Sequence, residues 1–123
     1  MEMRFLLISK DPEVVKAAQD AFERIGKLEV FENWEEGLNA SEGTDLMFVD
    51  ILATLKDAHK IAGYEAFAHA KMAHDVARHV KLILIAEPPG YDLDFMAGWP
   101  DFLFARLPRP ISPKILLRMS TYV

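Results

Sequence analysis

Residues 45–51 read DLMFVDI, in which four consecutive apolar residues are followed by an aspartate, Asp50. A continuous apolar run of this length is typical of a β-strand buried on both faces, as in a parallel sheet covered by helices on each side. The same kind of run occurs at residues 5–8 (FLLI) and at residues 82–85 (LILI). These three runs predict buried strands of one sheet, and Asp50 closes one of them.

Segments of helical period separate the apolar runs. Asp11, with a proline directly after it, predicts the start of a first helix, and Gly26 predicts its end. Residues 57–80 have helical composition with a break expected at Gly63, and Ser112 caps a last helix. The remaining predicted strands lie at residues 28–31 and 102–104. The remaining predicted helices are short and lie at residues 34–38 and 95–98.

The alternation of strands and helices defines the fold class. Strands that follow one another through helical crossovers form a parallel sheet with helices on both faces. We therefore expect a single α/β domain over residues 1–123, built as a doubly wound five-stranded parallel sheet.

The composition narrows the possible functions. Hydrophobic residues make up 51% and charged residues 27% of the 123 residues, as in ordinary soluble globular domains. The net charge of −5 gives no broad attraction to nucleic acid or to anionic membranes, so we expect direct binding to neither. The chain has no cysteine, which excludes disulfides, zinc–thiolate sites and thiol catalysis. Its first apolar run is too short for a signal peptide, so we expect a cytoplasmic protein.

In an open parallel sheet, functional groups lie at the carboxyl ends of the strands. The residues that close the strands are therefore the candidate functional residues. They are Ser9, Lys10 and Asp11 after the first strand, Asp50 after the third, Ala86 and Glu87 after the fourth, and Arg109 and Pro110 after the fifth.

The order of these residues resembles the receiver (CheY-like) domain of bacterial response regulators, over essentially the whole chain. The resemblance implies a flavodoxin-like sheet with strand order 2-1-3-4-5. Four functional positions of the family have counterparts here. The magnesium-binding acidic pair falls on Ser9 and Lys10, the phosphoacceptor aspartate on Asp50, the switch threonine or serine on Ala86, and the lysine that precedes a usually cis proline on Arg109.

The departures from the family pattern bear on the phosphorylation chemistry. Phosphoryl transfer to a carboxylate needs a divalent cation held by hard oxygen ligands. Ser9 and Lys10 remove two carboxylates and add an ammonium, while Asp11, which could lend an oxygen, is better explained as a helix N-cap. Ala86 has no hydroxyl, and an arginine at position 109 is not equivalent to lysine. We expect no cofactor and weak or absent Mg²⁺ binding.

The counter-charge of Asp50 has more than one possible source. The ammonium of Lys10 could replace the metal ion and reach Asp50, or the guanidinium of Arg109 could do so. Either contact would neutralise the carboxylate without an ion or a phosphoryl group and hold the domain in one state. Alternatively, Asp50 only caps a loop and Lys10 points into solvent.

Two further groups of residues are of interest as sites, the four histidines and three residues near the fifth strand. His59, His69, His74 and His79 do not predict a metal site, because steps of five residues rotate by about 140° on a helix and leave them on different faces. Trp99, beside a proline, is a candidate interface anchor, since exposed tryptophan often fills that role. Phe104 and Arg106 are alternative occupants of the family's aromatic switch position and belong to the same candidate interface.

The resemblance and the departures together predict an atypical receiver, or pseudo-receiver, of two-component signalling. It would be a phosphorylation-independent protein-interaction module and not an enzyme. We expect another signalling protein or domain as its partner, with a homodimer possible. The contact would involve the face formed by the predicted fourth helix (residues 95–98), the fifth strand and the last helix. The alternative is a phosphorylatable receiver that uses Asp50 with an atypical metal site. A small α/β enzyme or ligand-binding domain is disfavoured, because the sequence has no evident nucleophile, base or glycine-rich phosphate loop.

Overall fold

A five-stranded parallel sheet forms the centre of the computed structural model, which describes residues 2–93 and 105–121. All four strand pairings are parallel, and the order is β2-β1-β3-β4-β5. The predicted doubly wound α/β fold and its strand order are confirmed. The strands are β1 (Met3–Ile8), β2 (Gly26–Phe31), β3 (Leu46–Asp50), β4 (Lys81–Ile85) and β5 (Ala105–Leu107).

In the described residues, five α-helices connect or follow the strands. They are α1 (Pro12–Phe22), α2 (Trp34–Asn39), α3 (Ile51–Thr54), α4 (Ala62–Ala73) and α5 (Pro113–Ser120). The predicted caps of the first and last helices are present, because Asp11 accepts a hydrogen bond from the Glu13 amide and Ser112 from the Ile115 amide. Within residues 2–93 and 105–121, no helix has the length and apolar character needed to cross a membrane.

Two apolar layers cover the sheet, and the alternation of side chains along each strand decides which layer a residue joins. Phe5, Leu7 and Phe48 pack with α1 and α5, where the Phe5 and Phe22 rings stack at 3.9 Å between centroids. The residues between them, such as Leu6 and Met47, pack on the opposite face with α2 and α4. Both faces of the central strands are therefore covered, and the parallel pairing brings their carboxyl ends together at one end of the sheet.

Three predicted boundaries are wrong. The first helix ends at Phe22, and Gly26 begins β2, where an added Cβ would lie 2.1 Å from the Met3 carbonyl oxygen. Gly63 lies in the first turn of α4 and does not break it. The predicted long helix over residues 57–80 consists of α4 and a short 3₁₀ helix, Ala77–His79.

The segment before the fifth strand contains two of the predicted elements. The predicted helical turn at residues 95–98 and the predicted strand start at residues 102–104 lie outside the described residues. Within them the fifth strand runs over Ala105–Leu107 and pairs with β4 through Ile83↔Ala105 and Ile85↔Leu107. This pairing fixes where Arg109 emerges, two residues beyond the strand end.

Candidate functional site

Asp50 lies at the carboxyl end of β3, where it is also the N-cap of α3. Its side chain is 1% exposed. The Oδ1 oxygen accepts a hydrogen bond from the Leu52 amide at 3.0 Å and another from Arg109 Nη2, and Oδ2 accepts one from Ser9 Oγ at 2.9 Å. Both oxygens of this buried carboxylate are therefore already bonded.

The guanidinium of Arg109 is the centre of the site. Its Nη1 donates to Asp11 Oδ2 at 2.7 Å, its Nη2 donates to Asp50 Oδ1, and its Nε donates to the Ala86 carbonyl at 2.9 Å. The side chain is 9% exposed, and the Arg109–Pro110 peptide is cis, as the resemblance implied. A planar fork of donors suits two carboxylates at once, so one cation bridges Asp11 and Asp50.

Ser9 and Asp11 connect the end of β1 to this bridge. Ser9 is fully buried, and its hydroxyl donates to Asp50 and accepts from the Asp11 amide at 3.1 Å. Asp11 caps α1 with Oδ1 and pairs with Arg109 through Oδ2. The N-cap role expected for Asp11 is therefore present, together with an ion pair that was not expected.

Lys10 takes no part in the bridge. Its side chain is exposed, and it has no hydrogen bond or ion pair to any other residue in 2–93 or 105–121. Of the two cations considered as partners of Asp50, only Arg109 reaches it. Asp50 nevertheless also caps a helical turn, so the capping hypothesis describes part of its role.

The position of the expected switch residue is filled by a methyl group. Ala86 is 6% exposed, its amide donates to the Leu107 carbonyl at 2.9 Å, and its carbonyl accepts from Arg109. Its backbone thus helps to fix the guanidinium, while its side chain offers no hydroxyl that could bind an anion.

The residues of the site do not fit a magnesium ion. Two carboxylates, from Asp11 and Asp50, converge on one point, but a guanidinium occupies it and bonds to both. Over the described ranges, no group of three or more His, Cys, Asp or Glu side chains is arranged to hold a metal. A dication would have to displace a buried cation to reach Asp50.

The candidate interface residues are placed only in part. Arg106 on β5 is half exposed and donates to Glu87 Oε1 at 3.1 Å. With residues 88–91 it lines an open cleft of about 450 Å³ beside the site. Trp99 and Phe104 lie outside the described residues.

Comparison with known proteins gives a match at the level of the fold. No family model matches the chain, and no curated protein matches its sequence. Several solved structures resemble it over 99% of its length, and three of them illustrate the match. They are a CheY-like receiver domain protein from Methanospirillum hungatei (94% of that chain, 11% identity, TM-score 0.73), a putative response regulator from Chloroflexus aurantiacus (97%, 16%, 0.72) and the BeF3-activated DrrB receiver domain (97%, 19%, 0.68).

DrrB itself, a Thermotoga maritima OmpR/PhoB homologue, is longer, and the chain spans 52% of it. At these identities the likeness concerns the fold. The chain has the receiver (CheY-like) fold, with a strand order shared with these structures.

Proposed function

We propose that this protein is a pseudo-receiver: a receiver-fold interaction module of two-component signalling that works without phosphorylation. The observation that carries the proposal is the Asp11–Arg109–Asp50 bridge. It provides within the chain the positive charge that a phosphorylatable carboxylate takes from a metal ion.

The hydrogen bonds of Asp50 support this proposal chemically. A carboxylate acts as a phosphoacceptor when one oxygen is free to approach phosphorus in line with the leaving group. Here Oδ1 accepts two hydrogen bonds and Oδ2 accepts one, in a side chain 1% exposed. An attack through Oδ1 would first require the guanidinium to move, which leaves a buried charge unpaired at a cost of several kcal/mol. An attack through Oδ2 would first require the Ser9 hydroxyl to release its hydrogen bond.

The same bridge gives the module a fixed conformation. Arg109 joins the ends of β1, β3 and β4 to the loop after β5, so the face that carries β5 and α5 is tied to the site in one arrangement. A partner that binds this face would meet a preorganised surface, which reduces the ordering cost of binding. Arg106 and the exposed Leu117 lie on these two elements.

The experiment exposes the protein to acetyl phosphate with Mg²⁺ and measures its intact mass. We expect no phosphoryl adduct on the wild type. The matched control is a variant carrying Ser9→Asp, Lys10→Asp, Ala86→Thr and Arg109→Lys, which restores the family's pattern around Asp50. An adduct on this folded control would establish that the conditions support transfer.

The second candidate function is that of a phosphorylatable receiver that uses Asp50 with an atypical metal site, and one observation favours it. The carboxylates of Asp11 and Asp50 converge on a single cation, so displacement of Arg109 would leave two oxygen ligands side by side. In that case the wild type treated with acetyl phosphate and Mg²⁺ would gain a phosphoryl group, and Asp50→Asn would not. The pseudo-receiver proposal would then be wrong. Partner binding that is equal in wild type and Asp50→Asn, with and without acetyl phosphate, would support it.

A further inference from the structure

A basic cleft lies at the amino end of β4, at the opposite end of the sheet from the Asp50 site. Between α4, the 3₁₀ helix Ala77–His79 and the start of β4, six of the described residues line an open cleft of about 460 Å³. Four of them are basic or imidazole side chains, two are apolar, and none is acidic. They are Lys71, Met72, Arg78, His79, Val80 and Lys81.

Lys71 is the unusual member of this group. It lies on α4 and is 4% exposed, although lysine is among the residues least often buried. Its Nζ donates to the Val80 carbonyl at 2.7 Å, and no carboxylate pairs with it among residues 2–93 and 105–121. Burial lowers the pKa of the Lys71 ammonium, because the loss of hydration disfavours its charged form.

Arg78 extends the donor set towards solvent. Its Nε donates to His79 Nε2 at 3.2 Å, which orients the guanidinium beside the imidazole. Neither of its Nη atoms has a hydrogen bond or an ion pair within the part of the chain that the structure describes. A guanidinium fork and a buried ammonium in one cleft form a donor set suited to phosphate or carboxylate oxygens.

The charge of this cleft also opposes that of the whole molecule. The chain carries a net charge of −5, yet the described residues that line the cleft include several cations and no anion. A concave basic surface concentrates small anions even on an acidic protein. Met72, which is 52% exposed, adds an apolar edge beside the donors.

We propose that this cleft is a binding site for a small oxyanion, a phosphate or carboxylate group, held by the Lys71 ammonium and the Arg78 guanidinium. The bound oxygens would compensate the buried ammonium, and Met72 would contact an apolar part of the same ligand. The site is independent of the Asp50 bridge.

The test is a titration of the ¹⁵N-labelled protein with inorganic phosphate, and separately with acetate, at constant ionic strength. We expect saturable shifts of the amide signals of residues 71 and 78–80 with at least one of the two anions, and the tighter of them identifies the ligand class. Lys71→Met and Arg78→Gln should each weaken binding at least tenfold, since each removes a charge-assisted hydrogen bond. Lys16→Met, an exposed cation on α1, is the matched control and should change nothing.

Two results would overturn the proposal. One is a linear, unsaturated response to both anions, which would mean non-specific screening. The other is an affinity in Arg78→Gln equal to that of the wild type. Because Arg78 is exposed, this variant should fold even if Lys71→Met does not. If Lys71→Met folds, we expect the methionine to fit in place of the lysine. The variant should then be more stable than the wild type without ligand, since a buried ammonium without an anion is unfavourable.

Discussion

Replacement of Arg109 by methionine is the most direct test of the bridge at the carboxyl ends of the strands. The change keeps an extended side chain but removes all three donors, to Asp11, to Asp50 and to the Ala86 carbonyl. Asp11 is 33% exposed and can regain water, so the loss of that pair costs about 1 kcal/mol or less. Asp50 is 1% exposed and cannot.

The cost at Asp50 determines the size of the effect. Removing one partner of a buried ion pair costs about 3–5 kcal/mol, because the other charge stays buried without compensation. The hydrogen bonds from Ser9 and the Leu52 amide remain and soften the loss. We therefore expect Arg109→Met to lower the free energy of unfolding by about 3 kcal/mol, towards the lower end of that range.

A double-mutant cycle in urea separates the charge effect from lost packing. We expect the loss in the Arg109→Met/Asp50→Asn double variant to be about 2 kcal/mol smaller than the sum of the two single losses, since no carboxylate is left unpaired at position 50. Lys10→Met is the matched control. As Lys10 is exposed and makes no ion pair in the described ranges, its change should stay within about 0.5 kcal/mol. Additive losses in the cycle, or an equal loss in Lys10→Met, would refute the reasoning.

Two further predictions concern close packing and a buried phenol. Gly63→Ala should lower the free energy of unfolding by about 2 kcal/mol, although alanine normally favours a helix, because the new Cβ would lie 2.3 Å from the Thr54 carbonyl oxygen. Gly90→Ala, which meets no atom within 4 Å but has a positive φ, should cost only about 1 kcal/mol in the same urea assay, and a stabilised Gly63→Ala would contradict the close approach of α3 and α4. Burial raises the pKa of the Tyr64 phenol, so its stabilising contribution is complete below about pH 10, the ordinary pKa of tyrosine, and is lost as the pH rises further. The urea midpoint of unfolding should therefore fall further between pH 9 and pH 11 in the wild type than in Tyr64→Phe. An equal fall in both proteins would mean that the pKa of Tyr64 is the same in the folded and unfolded states.

The fold could be predicted because its decisive signals are local. The apolar runs at 5–8, 46–49 and 82–85 are buried on both faces, and such runs have few stable arrangements other than a helix-covered parallel sheet. Helix starts at Asp11 and Ser112 were predicted correctly, since an N-cap contacts an amide only two or three residues away. The roles of Gly26 and Gly63 were not. Each glycine is needed where another segment of backbone approaches, and that contact is not visible along the chain.

The functional site was likewise predicted from the sequence only in part. The sequence by itself placed Ser9, Asp50, Ala86 and Arg109 at one edge of the sheet, because the carboxyl ends of parallel strands share an edge. It could not decide between Lys10 and Arg109 as the partner of Asp50, and it gave no sign that Asp11 would share the same cation. Only the tertiary structure decided this, because neighbouring residues on β1 and its loop point in different directions. Ser9 turns inward, Lys10 turns to solvent, and the loop after β5 brings the guanidinium across three strand ends to Asp11, 98 positions away. Charge type is written in the sequence, but which charges are buried together depends on packing over distances that local chemistry does not reach.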